Sequence, residues 1–388
     1  MTEWREQMLS EFMHFNPRTP LLKGSIAKKV AMEHLASFNR KIQGYEEGIF
    51  KGGAKFKNGD TLVARITPCL ENGKTAYVDF LSDNEVAFGS TEFIVLRAKE
   101  GISDSKFIFY LAISDEFRDT AIQLMTGSSG RQRVETEALK QKVFILPALP
   151  EQKAIAEVLS SLDDKIDLLT RQNNTLEDLG QAFFRKWFVE DADEKLKKYP
   201  LSELMVIQNG FAFRSRDYQD AGKYKIVTIK NVQDGFIDTS GTTFLNQLPV
   251  GMPDYVLLTI GDVLISLTGN VGRVGIVVED NLLLNQRVAK ISPYNPEYLP
   301  FLYFYFRNET TREYLINLAH GTAQANLSPI ETLKTEVSFS KTLIKKYSEL
   351  FMPMYQKIIK NKQQIIVLQK LRDTLLPKLI SGEVRVKL

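Results

Sequence analysis

Residues 151–189, EQKAIAEVLSSLDDKIDLLTRQNNTLEDLGQAFFRKWFV, carry apolar side chains at alternating steps of three and four: Leu159, Leu162, Ile166, Leu169, Leu176, Phe183 and Trp187. Asn173 and Gly180 fill the two remaining positions of this seam. The pattern is the heptad period of a coiled coil. A second stretch near the C-terminus repeats it through Phe351, Met354, Ile358, Asn361, Ile365, Leu368, Arg372, Leu375 and Leu379. Two ordinary amphipathic helices in one core are the alternative, but a seam held over about four heptads is unusual for them. Gly180 lowers helix propensity by about 1 kcal/mol relative to Ala, so a kink is expected there.

Working outward, the chain repeats itself. Leu9-Ser10-Glu11 with Met13 recurs as Leu201-Ser202-Glu203 with Met205, and Leu159, Ile166, Leu176 and Trp187 fall against Phe351, Ile358, Leu368 and Leu379. Between those ends the match is looser: Gly59-Asp60-Thr61-Leu62-Val63 echoes Gly261-Asp262-Val263-Leu264-Ile265, and Glu137-Ala138-Leu139-Lys140 echoes Glu331-Thr332-Leu333-Lys334. The helices repeat while the globular parts vary. The expected organisation is a first globular part over 1–150, a first coiled-coil helix over 151–190, a second globular part over 191–340, and a second helix with a C-terminal tail over 341–388. The fold class is α+β: two mixed α/β parts separated by two long helices, which pair as an antiparallel intrachain coiled coil with a pseudo-two-fold repeat.

Composition narrows the function. The 388 residues hold one cysteine, Cys69, which rules out an intrachain disulfide and fits a reducing compartment. No secretory leader opens the chain and no apolar run approaches membrane-spanning length, so a cytoplasmic protein without membrane contact is expected. A net charge of +3 and a pI near 8.6 permit a nucleic-acid partner without demanding one. The P-loop and Gly-x-Ser-x-Gly patterns are absent, and His14, His34 and His320 lack metal-ligand spacing. Asn295-Pro296-Glu297-Tyr298 differs from an amino-methyltransferase box at its third residue and reads as a helix-capping turn. No catalytic site and no bound metal are expected.

In the first part, short β-branched and aromatic runs at 61–66, 75–80, 93–96 and 143–147 read as strands and 105–125 as a helix. In the second, 226–229, 262–267 and 275–278 read as strands and 298–318 as a helix whose Phe and Tyr residues belong to a core. Each helix is followed by a polar loop. Arg can donate two hydrogen bonds to guanine, and Asn or Gln can pair bidentately with adenine, so loops rich in these residues suit base reading. The candidates are Ser128, Ser129, Arg131, Gln132 and Arg133 in the first loop, and Thr322, Gln324 and Asn326 in the second. A further pair of clusters lies on strand-linked turns: Arg65, Thr67, Asn72 and Lys74, and Ser266, Thr268, Asn270 and Arg273, with Asn285, Gln286 and Arg287 beyond. Plain solvent-exposed turns have the same composition; duplication at matching places argues for recognition.

Three motifs carry a family resemblance: Leu146-Pro147-Ala148-Leu149-Pro150-Glu151-Gln152-Lys153, Phe184-Arg185-Lys186-Trp187-Phe188-Val189, and Leu376-Pro377-Lys378-Leu379-Ile380-Ser381-Gly382-Glu383. They resemble the central and C-terminal signatures of specificity subunits of type I restriction-modification enzymes. Residues 321–327 are similar to that family's Gly-Thr/Ser-x-Gln-x-Asn-Leu/Ile pattern, whereas the second long helix lacks the Leu-Pro-x-Leu-Pro-Glu-Gln lead. The resemblance implies two target-recognition domains, each reading half of a bipartite site in double-stranded DNA. It implies two modification (methyltransferase) subunits and restriction (ATP-dependent translocase/nuclease) subunits as partners. S-adenosylmethionine and ATP with magnesium then belong to those partners, and this chain binds no cofactor. A coiled-coil scaffold that binds other proteins and no DNA is the rival reading.

Overall fold

The computed structural model describes residues 4–191, 198–319, 326–338 and 340–387. Two compact units emerge: Met1–Ile166 with Leu368–Leu388, and Asp167–Val367. Both divisions fall inside long helices, so each helix contributes to both units. The first helix, Leu149–Arg185, continues through Gly180 and ends in a π-helical turn, Lys186–Glu190. The second is Lys341–Ile380.

The motif before the first helix is a knot of hydrogen bonds. Pro150 sits in the first turn, where an amide N–H has no intrahelical partner to lose. The buried Gln152 side chain donates to Pro147 O (2.9 Å) and Ile102 O (3.0 Å) and accepts from Asp104 N (2.9 Å). Glu151, 2 % exposed, is paired with Arg385 (Nη2–Oε2 2.6 Å), which joins this motif to the C-terminal signature. That signature closes the second helix: Gly382 adopts φ +76°, and Ser381 N and Val384 N return to Pro377 O and Lys378 O. The second helix begins differently, with Ser340 Oγ accepting from Leu343 N (3.4 Å).

Within each unit the two helices pair antiparallel along the expected seam. Leu159 and Leu379 are buried in the first unit, and Leu169, Asn173, Phe351, Ile358 and Asn361 in the second. Leu162, Ile166, Leu176, Trp187, Met354, Ile365, Leu368 and Leu375 are half-buried. Phe183 is 37 % exposed, although its ring still lies 5.6 Å from Phe351; its neighbour Phe184 is the buried residue, packed on Phe301 and Tyr347.

The sheets of the two units correspond, with one strand added in the second. In the first unit, Met13–Phe15, Phe93–Ala98, Thr61–Ala64 and Thr75–Tyr77 form an antiparallel sheet in that order. A second sheet runs Glu46–Ile49, Ile26–Val30, Ala87–Gly89, Ala54–Phe56, with its central pair parallel. A ribbon pairs Arg5–Met8 with Val143–Leu146. The second unit repeats this as Met205–Asn209, Val288–Pro293, Val263–Ser266, Val274–Ile276, extended by Gly235–Phe236. Its second sheet is Phe244–Leu245, Tyr224–Val227, Leu282–Leu284, Leu257–Leu258, again with a parallel centre, and its ribbon is Lys198–Pro200 with Glu336–Ser338.

Two expected single helices are each divided. Residues 105–125 form Ser105–Ile113 and Asp115–Gln123, because Ser114 turns to extended backbone and its Oγ caps Phe117 N. Residues 298–318 likewise contain Leu299–Arg307 and Glu309–Ala319, broken at Asn308, whose φ and ψ are −64° and 135°. The aromatic stripe is core: Phe301, Tyr303, Phe304 and Phe306 are buried.

Candidate nucleic-acid interface

The Gly-Asp echo builds the same turn twice. Gly59 and Gly261 adopt φ +87° and +95°, conformations that favour glycine. Asp60 and Asp262 each accept the amide three residues earlier, Lys57 N and Thr259 N, both at 2.8 Å. Each aspartate is also ion-paired, Asp60 with Arg97 (2.6 Å) and Asp262 with Lys290 (2.8 Å). These turns fix the start of the strands Thr61–Ala64 and Val263–Ser266, whose far ends lead to the candidate residues.

At those far ends the backbone junctions agree bond for bond. Arg65 N donates to Glu92 O (2.9 Å), as Leu267 N does to Arg287 O (3.1 Å). Val134 N donates to Arg65 O (2.9 Å), as Leu327 N does to Leu267 O (2.8 Å). Bridges link Ile66 to Arg133 and Thr268 to Asn326. Thus Arg65, Glu92 and Arg133 of the first unit correspond to Leu267, Arg287 and Asn326 of the second. One scaffold presents two different sets of side chains.

In the first unit Glu92 is the hub. Arg133 donates Nε and Nη2 to it (3.0 and 2.8 Å), and Arg65 donates Nε (3.3 Å). The hydrogen bonds from Arg133 hold the Glu92 carboxyl below the ordinary carboxylate range; burial opposes this, and Arg65 reinforces it. Ser128, Ser129 and Arg131 are exposed in the loop, and Gln132 is half-buried with its carbonyl accepting from Thr67 N (3.1 Å). Thr67 lies against Glu71 and Met125, and Lys74 Nζ donates to Met32 O (3.0 Å). Asn72 is exposed.

In the second unit Asn270, Gln286, Arg287 and Asn326 are exposed and Asn285 is half-buried. Arg273 Nη1 donates to Gln233 Oε1 (3.0 Å). Ser266 does not face solvent: it is 0 % exposed, and its hydroxyl bonds Asn270 O and accepts from Arg273 N (3.1 Å). It shapes the turn and has no surface to offer DNA. Thr268 Oγ1 is buried and without a partner among the described residues. Thr322 and Gln324 lie outside the described residues.

The sequence reading selects Asn285, Gln286 and Arg287 but misses their counterparts Ser90, Thr91 and Glu92. Only the strand register, which sets Phe93 opposite Ala64 and Val288 opposite Ser266, exposes the correspondence. Elsewhere, Glu33, His34 and Glu46 bring ligand atoms within 4.8 Å of one another. His34 Nδ1 accepts Ala31 N–H (3.0 Å), so the lone pair of that nitrogen is already engaged. No helix among the described residues is long and apolar enough to cross a membrane.

Comparison with known proteins agrees with this duplicated geometry. The chain is 27% identical over 318 residues to the type I restriction enzyme MjaIX specificity subunit of Methanocaldococcus jannaschii, covering 74% of this chain and 71% of the relative. It is 24% identical over 403 residues to the HindI specificity subunit of Haemophilus influenzae, covering 84% and 87%. The crystal structure of the type I restriction-modification S subunit from M. genitalium shares the fold, with a TM-score of 0.61 at 20% identity over 97% of this chain and 96% of that one. The family described as type I restriction modification DNA specificity domain matches twice, over residues 2–178 and 193–338, one match for each half of the repeat, and the chain belongs to that family.

Proposed function

We propose that this chain is the DNA sequence-specificity subunit of a type I restriction-modification complex, in which each unit reads one half of a bipartite double-stranded site. The observation that carries this reading is the duplicated junction: identical backbone hydrogen bonds hold Arg65, Glu92 and Arg133 in one unit and Leu267, Arg287 and Asn326 in the other. Recognition of two unlike half-sites calls for a constant frame with exchangeable donors and acceptors. The chain is non-catalytic. It positions two modification subunits and the restriction subunits, which supply S-adenosylmethionine-dependent adenine methylation and ATP- and magnesium-dependent translocation and cleavage. A protein-binding scaffold without DNA specificity is disfavoured by the family matches over both globular parts.

The test is methylation-motif sequencing in cells that express the partner subunits with and without this chain. A bipartite motif should appear only with the chain. Arg131→Ala should relax one half-site and Asn326→Ala the other, each by about 1–3 kcal/mol of discrimination at one position. A motif independent of the chain, or one in which both substitutions degrade both half-sites equally, would contradict the proposal.

A further inference from the structure

The Glu92 carboxylate takes one edge of the Arg133 guanidinium. Nε lies 3.0 Å from each carboxylate oxygen and Nη2 lies 2.8 Å from Oε1. The remaining contact is a longer one, Nη1 to Arg131 O at 3.4 Å. A guanidinium has five N–H groups in a fixed fork, so this arrangement leaves an N–H on each of Nη1 and Nη2 at the tip. Two parallel donors at that tip match the O6 and N7 acceptors of guanine in the major groove.

Exposure fits the same use. The Arg133 side chain is 43% exposed, whereas the carboxylate that fixes it is 21% exposed. Arg65, the second arginine on Glu92, borders a cavity of about 340 Å³ whose rim also carries Arg18, Lys55 and Thr91. Three cations and a hydroxyl beside the fork give a surface suited to backbone phosphates. In the second unit the position of Glu92 is held by Arg287, which is exposed and without an ion pair among the described residues. Among the described residues the buttress therefore belongs to the first unit.

We infer that Glu92 is a specificity-determining positioning residue of the first unit, which holds Arg133 edge-on so that its two terminal amino groups read a guanine in one half-site. This rests on the proposed DNA-reading function and adds to it the base and the residue that orients the reader. An unbuttressed arginine rotates about its long side chain and contacts phosphates as readily as bases; the carboxylate restricts it to one orientation.

The experiment uses the complex of this chain with its modification subunits, presented with a random-sequence duplex pool and then sequenced for what it retains. The unsubstituted complex should select a bipartite site with a guanine in one half. Glu92→Gln should reduce preference for that guanine tenfold or more, leave the other half-site unchanged, and keep or strengthen binding to nonspecific duplex, because a negative charge is removed. Arg133→Lys should produce the same loss, since it retains charge without the fork. Unchanged guanine preference in Glu92→Gln, whatever Arg133→Lys does, equal weakening of both halves, loss at a base other than guanine, or weaker nonspecific binding by Glu92→Gln would each overturn the inference. Failure of the unsubstituted complex to select any sequence would overturn the proposed function itself, a result distinguishable from all of these.

Discussion

Where the two seams are interrupted, the first unit answers with charge and the second with an aromatic ring, although elsewhere the second unit also ties its first helix to Arg307 through Glu177. Arg372 and Gly180 occupy equivalent positions in the two seams, and each interrupts the apolar pattern. Arg372 Nη1 donates to Asp163 (2.9 Å), a residue 5 % exposed that also accepts from the Tyr110 hydroxyl (2.7 Å). On the next residue, Asp164 is paired with the buried Arg40. At Gly180 the side chain is missing so that the Phe304 ring can lie on the helix backbone, and Tyr347 donates its hydroxyl to Gly180 O (2.8 Å). Tyr110 and Phe304 come from corresponding helices, Ser105–Ile113 and Leu299–Arg307. The lapses in the heptads are thus sockets, one ionic and one steric, on a repeated frame.

Breaking the ionic socket should have the largest effect. Arg372→Ala removes the cation hydrogen-bonded to the buried Asp163, and loss of one partner of a buried pair costs about 3–5 kcal/mol. Denaturant unfolding should show this as a large drop, and a loss below about 1 kcal/mol would mean that water already screens the pair. Replacing both members, Asp163→Leu with Arg372→Met, should recover much of the loss, since the desolvation of both charges is avoided.

The steric socket comes next. A Cβ on Gly180 would overlap the ring of Phe304, itself 0 % exposed and unable to swing into solvent. Overpacking of this kind costs about 1–3 kcal/mol, and the gain in helix propensity from Gly180→Ala offsets only about 1 kcal/mol of it. The variant should melt at lower temperature than the parent, and adding Phe304→Leu should restore part of the difference. A stabilised Gly180→Ala would show that the ring does not hold this glycine in place.

How much of this was readable beforehand depends on the distance between partners. The seam and both asparagines are legible because a heptad pattern is local. The repeat is legible because helix ends and Gly-Asp turns recur in sequence. Gly180 reads only as a weak point, because its reason, Phe304, lies more than 120 residues away; Arg372 finds Asp163 over a separation of 209. Ser266 looks like a surface donor by composition, yet the turn through Asn270 and Arg273 consumes its hydroxyl. Glu92 escapes notice because an acidic residue is not an obvious DNA contact, and its partners become visible only when strand register brings Arg65 and Arg133 to it.

The smallest net change is expected where the seam is polar on both helices. Asn361 Nδ2 donates to Asn173 Oδ1 (2.9 Å), and Asn173 Nδ2 reaches Ile358 O (3.4 Å), all within the second unit. Asn361 Oδ1 is buried with no partner among the described residues, so the pair is incompletely satisfied. Replacing one asparagine by leucine strands the other, at about 1–3 kcal/mol for a buried group left unpaired. Replacing both removes the mismatch and adds apolar contact, so Asn173→Leu with Asn361→Leu should unfold within about 1 kcal/mol of the parent or above it. Polar seam residues fix helix register, which apolar ones leave free to slip. The double variant should therefore keep its stability while losing sharpness, seen as faster amide exchange and broader resonances along both helices. A double-mutant cycle with additive losses would show that the two asparagines act independently, and a sharp, stable double variant would show that the sockets at Gly180 and Arg372 already fix the register.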